Sequence, residues 1–433
     1  MKLHEYTLKG WVHPADIFVS LYASDEAAFW FDREFHPTKR LSVMGHAYGG
    51  KVVSLQQVAE VLEKLDSSVA NDFFTPGYVG WVEYPNEPQA ETLQVESSFL
   101  EVREAIVFDH DTRRIHLVGL FETTDDFNEW VSAALLRLGV MGGQKETYLH
   151  RASKPVISGV EIVHRQDDYL AMIESAKAAI AAGEVYQLCL TNQIRVVGAF
   201  DALAIFLKLR TSNPSPYSSF IRVGNRTLVS ASPEKFFSVQ DRKVTTKPIK
   251  GTRARLVDPV LDAQAASELQ QNQKERAENL MIVDLMRNDL SKFCDEETVK
   301  VEKLFDIESY STVHQLVSTV TGQLSEGVNP VTALLSAFPA GSMTGAPKLR
   351  AQQLISDLEG ISRGIYSGIS GVIGLDGSIE MAMNIRCLVF ESNQVSIGIG
   401  GGITADSDPR AEFEEIQLKA KAQLGVLSAS VNW

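Results

Sequence analysis

Short apolar runs of strand length alternate along the chain with amphipathic stretches of helical period. Phe29-Trp30-Phe31-Asp32, Gly77-Tyr78-Val79-Gly80-Trp81-Val82 and Ala105-Ile106-Val107-Phe108-Asp109 read as strands bounded by turn residues. Thr123 to Leu138 has the spacing of an amphipathic helix. From Met141 to Val156 the period is lost and Gly, Lys and Ser collect, which predicts a boundary between a unit at 1–150 and one at 151–433. Beyond it, Asp167 to Ala182 predicts a helix with Gly183 just past its C-terminus. Val185 to Val197 predicts a strand with Gln187, Cys189, Thr191 and Gln193 on one face. Ala202 to Arg210 predicts a helix stopped by Asn213-Pro214-Ser215-Pro216. Two strands follow, at 218–224 and 227–231, and then one long helix over 265–290. Strands at Ile369–Leu375 and Met383–Glu391, a glycine-rich strand at Val395–Ile403 and a helix over 409–428 complete the pattern. Strands come in pairs between helices, which predicts an α+β fold with layered antiparallel sheets rather than a doubly wound parallel one.

Composition narrows the function classes. The 433 residues carry a net charge of −14, which argues against nonspecific nucleic-acid binding and against an anionic membrane surface. An anionic substrate would need a local patch of arginine, lysine or metal. The three cysteines, Cys189, Cys294 and Cys387, are far apart and suggest neither a zinc site nor a disulfide framework. No stretch approaches about 18 uncharged apolar residues and the N-terminus lacks an apolar signal core, so a cytoplasmic protein is expected.

Several segments carry chemistry. In Thr246-Lys247-Pro248-Ile249-Lys250-Gly251-Thr252-Arg253-Ala254-Arg255, Pro248 fixes a turn and Gly251 permits close backbone approach, so Lys250 is expected on a shaped loop. Standing alone, that segment reads as a basic surface turn. A lysine so placed is a nucleophile once burial or neighbouring cations favour its neutral amine. Two helices each carry an i,i+3 glutamate pair, Glu275/Glu278 and Glu412/Glu415, and such pairs share a helix face. Either pair alone is what a solvated face shows; two facing pairs make an oxygen-rich cage suited to Mg²⁺. Gly341 to Lys348 departs from the phosphate-loop pattern, and Pro347 is expected to open a helix with Gly345 and Ala346 near its anion-attracting N-terminus. Gly398-Ile399-Gly400-Gly401-Gly402 offers a strand end without side chains. Arg386, expected inside an apolar strand, calls for an anionic partner.

Taken in order, Ser230-Ala231-Ser232-Pro233-Glu234, Pro248-Ile249-Lys250-Gly251-Thr252, Glu278 to Leu285, Arg287-Asn288-Asp289-Leu290, Tyr310-Ser311-Thr312-Val313-His314, Gly345-Ala346-Pro347-Lys348, Ile385-Arg386 and Glu415 with Lys419 resemble the chorismate-utilising enzymes. The resemblance is strong over 160–425, and residues 1–150 look like the N-terminal half of the anthranilate and aminodeoxychorismate members. It implies an α/β/β/α core of two packed, mainly antiparallel sheets flanked by helices, with 151–433 as the chorismate-binding catalytic part. It also implies Mg²⁺ held by Glu278 and Glu415, with Glu275 and Glu412 holding metal-bound waters. Arg386, Tyr366 and the backbone of Gly400, Gly401 and Gly402 would hold the carboxylates of chorismate, with Thr344, Gly345, Thr252 and Lys419 nearby and His314 close to the ring. Glu234 would protonate the departing C4 hydroxyl.

Two positions sort the branches of the family by resemblance. Isochorismate and salicylate synthases have a lysine base at the place of Gln187, so activation of water at C2 is disfavoured. Anthranilate synthases usually have alanine at the place of Lys250, whereas aminodeoxychorismate synthases have lysine. The resemblance therefore implies a folate-pathway enzyme that transfers an amino group to chorismate through a covalent Lys250 intermediate. Anthranilate synthase is the alternative, followed by isochorismate or salicylate synthase and a non-catalytic binding module. No glutaminase is legible in the sequence, so a separate glutamine amidotransferase is the expected source of ammonia. Some relatives bind tryptophan in the N-terminal half, which Trp30 and Tyr217 do not decide here.

Overall fold

The computed structural model describes residues 1–64, 73–88, 95–138, 142–310 and 313–433. Its strands form two large sheets, one of 12 strands and one of 10. Neighbouring strands pair antiparallel in both. Helices Gln166–Ala181, Ala202–Ser212, Lys348–Glu359 and Pro409–Leu427 pack on the first sheet, and Pro259–Gln271 and Gln273–Leu290 on the second. The expected α/β/β/α layering of two packed antiparallel sheets is what the chain adopts.

Strand Ala27–Asp32 explains why the apolar runs are continuous rather than alternating. Ala28 and Trp30 enter the core beneath the helices, while Phe29 and Phe31 enter the core shared by the sheets. A strand covered on both faces needs apolar residues at both parities. At about 25 cal/mol per Å² of apolar surface removed from water, these two cores are the main favourable contribution to folding.

Strands from residues 1–150 enter both sheets. Ala27–Asp32 pairs with Tyr217–Val223 in the first, and Gly77–Val82 pairs with Ile369–Gly374 in the second. The segment at the expected boundary includes a helix that its composition does not announce, Gln144–Arg151, and Met141 lies outside the described residues.

Three elements differ from their sequence pattern. The helix expected over 265–290 is two helices, Pro259–Gln271 and Gln273–Leu290, because Asn272 caps the second: its side chain accepts from Glu275 N at 3.0 Å. The strand expected over 383–391 is two strands in different sheets, Ile379–Met383 and Cys387–Glu391. Arg386 sits in the crossover between them at φ 50°, not inside a strand. Pro347 does precede a helix, Lys348–Glu359, but Gly345–Ala346 forms a short strand paired with Gln187–Leu188 rather than the first turn of that helix.

Candidate active site

Two crossovers between the sheets define one wall of a cleft. The chain leaves the first sheet at strand Arg226–Ser232 and enters the second at Lys235–Gln240, and Glu234 lies between. The Arg386 crossover returns from the second sheet to the first. The two are tied by backbone bonds from Met383 N to the Glu234 carbonyl at 3.0 Å and from Ala231 N to the Arg386 carbonyl at 3.2 Å. A general-acid candidate and an arginine are thus fixed side by side.

Lys250 comes from a strand, not a loop. Lys243–Thr246 and Ile249–Ala254 lie in succession along strand Val313–Gln323, interrupted at Lys247-Pro248, where Pro248 has no N–H to donate. Gly251 is the extra residue of a bulge, with Lys250 opposite Leu316 and Thr252 opposite Gln315. Its φ of +77° suits glycine, and a Cβ there would lie 2.9 Å from the Glu275 carboxyl carbon. The Lys250 ammonium reaches Glu278 Oε2 at 3.6 Å.

Both glutamate pairs begin at capped helix N-termini. Asn272 caps Gln273–Leu290 just before Glu275, and Asp408 caps Pro409–Leu427 just before Glu412. Carboxylates in a first turn face the positive end of the helix dipole. Each is met by a partner: Lys250 and Lys274 at 3.6 and 3.9 Å from the two oxygens of Glu278, Arg253 at 3.9 Å from Glu275, Lys419 at 2.7 Å from Glu415, and the Ser407 hydroxyl at 2.7 Å from Glu412.

The glycine strand Gln394–Ile403 forms the floor. A Cβ on Gly398 would fall 2.0 Å from the Tyr366 ring, so glycine is what lets the tyrosine lie against the strand. A Cβ on Gly401 would stand 3.3 Å from Glu412 Oε2, and one on Gly402 would stand 3.4 Å from Lys250 Nζ. Lys419 donates to the Gly400 carbonyl at 2.8 Å. The cleft encloses about 600 Å³ and is lined by Glu234, Lys250, Thr252, Glu275, Glu278, Tyr366, Arg386, Gly400, Gly401, Gly402, Glu412, Glu415 and Lys419.

Its electrostatics are uneven. Burial pushes the Glu234 carboxyl up to about 7, against the opposing pull of Lys250, the Ser342 hydroxyl (3.2 Å from Oε1) and Arg386. Burial also lowers Arg386, whose guanidinium has no carboxylate partner among the described residues, while the charge of Glu234 works the other way. Burial, then the charge of Glu278, raises Glu275. Burial likewise raises Glu412, with Glu415 adding to the rise and the Ser407 bond opposing it. In Glu415 burial is outweighed by Lys419, and its carboxyl is lowered. A carboxyl raised by burial, an arginine without a carboxylate partner among the described residues and mutually repelling carboxylates therefore share one cavity. Among the described residues no three acidic, histidine or cysteine side chains converge as a ready-made metal cluster.

Four expected residues are not in the cleft wall. His314 is buried elsewhere, its Nε2 2.9 Å from Asp262 Oδ1 and its Nδ1 2.8 Å from the Ser309 hydroxyl. Thr344 is turned inward, donating to the Ala340 carbonyl at 3.0 Å. Gly345 is required by strand packing, since a Cβ would meet the Gln187 carbonyl at 2.0 Å. Gln187 lies just behind the floor: it is buried, its Nε2 is 2.6 Å from where a Cβ on Gly402 would sit, and neither of its side-chain polar atoms has a partner among the described residues. Of the Tyr310-to-His314 motif, Ser311 and Thr312 lie outside the described residues. Sequence reasoning passed over Ser342, Lys274 and Gln423, which also line the cleft. Lys274 and Gln423 were detectable, each standing four residues from a chosen residue on the same helix face. Ser342 had no such signal.

The fold and this cleft define a family. A model of chorismate binding enzymes matches residues 20–425, and the chain belongs to that family. It is 34% identical to an aminodeoxychorismate synthase of Streptomyces griseus over 95% of this chain, and it spans 62% of the length of that relative. It is also 34% identical to anthranilate synthase component 1 of Streptomyces coelicolor, over 98% of this chain and 88% of the relative. Anthranilate synthase component I of Streptococcus pneumoniae shares the fold at a TM-score of 0.75 and 24% identity, covering 97% of this chain and 92% of its own.

Proposed function

We infer that this chain is the chorismate-acting component of an aminodeoxychorismate synthase, converting chorismate and ammonia to 4-amino-4-deoxychorismate. The observation that carries the reading is Lys250, whose amine lies in the cavity that also holds Glu234 and both glutamate pairs. An anthranilate synthase does not need an amine at that position, although relatives of both kinds are equally similar to the chain.

The residues suit the steps. The Lys250 amine attacks C2 of the ring as the C4–O bond breaks, and Glu234, whose burial raises its carboxyl to about 7 and so keeps a protonated fraction near neutral pH, gives its proton to the departing hydroxyl, which leaves as water. Ammonia then attacks C4, the C2–N bond to Lys250 breaks, and the amine is regenerated. Arg386, with no carboxylate partner of its own, offers a fork of donors to a substrate carboxylate. Tyr366 and the bare backbone of Gly400–Gly402 complete that wall. Four carboxylates on one cavity, two of them raised by burial and mutual repulsion, are the oxygen donor set of a hard divalent cation, so Glu278 and Glu415 would hold Mg²⁺ and Glu275 and Glu412 its waters. Bound there, Mg²⁺ would screen a carboxylate of the dianionic substrate. Gln187 presents no amine with which to activate water at C2. Ammonia is supplied from glutamine by a partner amidotransferase.

The test is mass spectrometry of the products from chorismate, Mg²⁺ and ammonium. Aminodeoxychorismate is expected; anthranilate with pyruvate as the main products would overturn the reading, and isochorismate formed without ammonium would place the chain on the third branch.

A further inference from the structure

Behind the cleft, outside every role assigned above, lies a buried arginine. Arg363 is 5% exposed and stacks over the Tyr84 ring at 4.5 Å. Its Nε donates to Glu359 Oε2 at 2.9 Å, and one terminal nitrogen donates to Glu359 Oε1 at 2.6 Å and to the Cys189 carbonyl at 2.7 Å. The other terminal nitrogen donates to the Met343 carbonyl at 2.7 Å, with a long contact of 3.5 Å to the Ser367 hydroxyl. Glu359 Oε1 also accepts from Thr191 N at 2.7 Å. One ion pair thus grips strand Gln187–Ala199, the end of helix Lys348–Glu359 and the turn Gly341–Met343.

A buried ion pair is weak evidence for stability, because desolvating two charges offsets most of their attraction. This pair is notable for what it holds. Cys189, Met343 and Tyr366, three residues beyond Arg363, all line the cleft. Ser342, the neighbour of Met343, donates to Glu234 Oε1. The Met343 carbonyl that Arg363 holds and the Ser342 hydroxyl that bonds Glu234 thus belong to adjacent residues of one turn. A lysine at 363 would carry all its donors on one nitrogen and cannot span Glu359, Cys189 and Met343 as the guanidinium's three nitrogens do.

We propose that Arg363 is a positioning residue for the proton donor: through the Met343 carbonyl it sets the turn from which Ser342 bonds Glu234. The inference rests on the reading of Glu234 as the acid, but its test does not require turnover. The charged groups facing Glu234 are Lys250 and Arg386, and Arg363 hydrogen-bonds neither of them.

The test is infrared titration of the Glu234 carboxyl, its protonated C=O band assigned by its loss in Glu234→Gln. Ser342→Ala removes a donor to the ionised form, so the midpoint should rise by roughly half to one pH unit. Arg363→Lys should raise it in the same direction, and the double variant should rise no further than Ser342→Ala alone. A folded Arg363→Lys protein with an unmoved midpoint, an unmoved midpoint in Ser342→Ala, or additive shifts in the double variant would each overturn the inference. If Arg363→Lys fails to fold, Glu359→Gln weakens the same grip and must move the midpoint upward; no movement there overturns it equally. A midpoint that behaves as expected in an enzyme making no aminodeoxychorismate would sink the functional reading and leave this one standing.

Discussion

In the proposed reaction Glu234 must carry a proton and Lys250 must offer a free amine. Glu234 is buried with one hydroxyl donor, and its carboxyl sits near 7, up from an ordinary 4.5. Two consequences follow from the sign. Turnover that depends on the protonated acid should fall as pH rises through about 7, and that limb should vanish from the pH–kcat profile of Glu234→Gln along with most of the activity. A carboxyl raised on folding contributes stability that is full below the unfolded value and lost as pH climbs to the folded one. Glu234→Gln should therefore gain unfolding free energy relative to wild type between pH 4.5 and about 7 and keep that advantage above, by no more than about 3 kcal/mol. Chemical or thermal unfolding at pH 4, 6 and 8 checks this; a constant difference across the series would contradict a raised carboxyl. Glu234 was singled out in the sequence through the family resemblance of Ser230 to Glu234, but its burial and raised carboxyl were not readable, because burial at a crossover between sheets depends on partners more than a hundred residues away, Ser342 and Arg386 among them.

At the scale of elements, the two acidic helix starts carry the account. Both pairs were legible from i,i+3 spacing, and the caps Asn272 and Asp408 were in the sequence as well, yet the break at Asn272 was hidden within a continuous helical period. Capping places Glu275 and Glu412 in first turns, where the helix dipole favours the ionised carboxylate. Glu278→Ala should abolish both Mg²⁺-dependent turnover and calorimetric Mg²⁺ binding; unchanged binding would remove Glu278 from the ligand set. Lys274 holds one oxygen of Glu278, at 3.9 Å, and stands where a divalent cation must compete with it. Lys274→Met should tighten Mg²⁺ severalfold by calorimetry, and weaker binding would show that Lys274 supports the metal instead. The strand carrying Lys250 and the crossover carrying Arg386 were read less well. A bulge and a change of sheet are set by strand pairing, which a single-chain pattern does not encode.

At the scale of the molecule, the site exists because two sheets share a chain that crosses between them twice at the same place. Glu234 and Arg386 occupy those crossings, the glycine strand supplies a floor from the first sheet, and the bulged Lys250 strand supplies the opposite wall from the second. Residues 1–150 complete both sheets through the pairings of Ala27–Asp32 and Gly77–Val82. A chain of residues 151–433 alone should lack the fixed near-ultraviolet dichroism and cooperative melting of the full chain; a cooperative melt would show that the catalytic half folds unaided. The layered fold was legible because paired strands between helices leave few arrangements, whereas the interleaving of the two halves was not, since strand partners lie some two to three hundred residues apart. The central claim is that Lys250 attacks the substrate. Peptide mass mapping of enzyme quenched with chorismate and Mg²⁺ in the absence of ammonia tests it most directly. The account predicts a chorismate-minus-water adduct on Lys250 that disappears when ammonium is added; full aminodeoxychorismate synthesis by Lys250→Ala, with no adduct on the wild-type lysine, would contradict it.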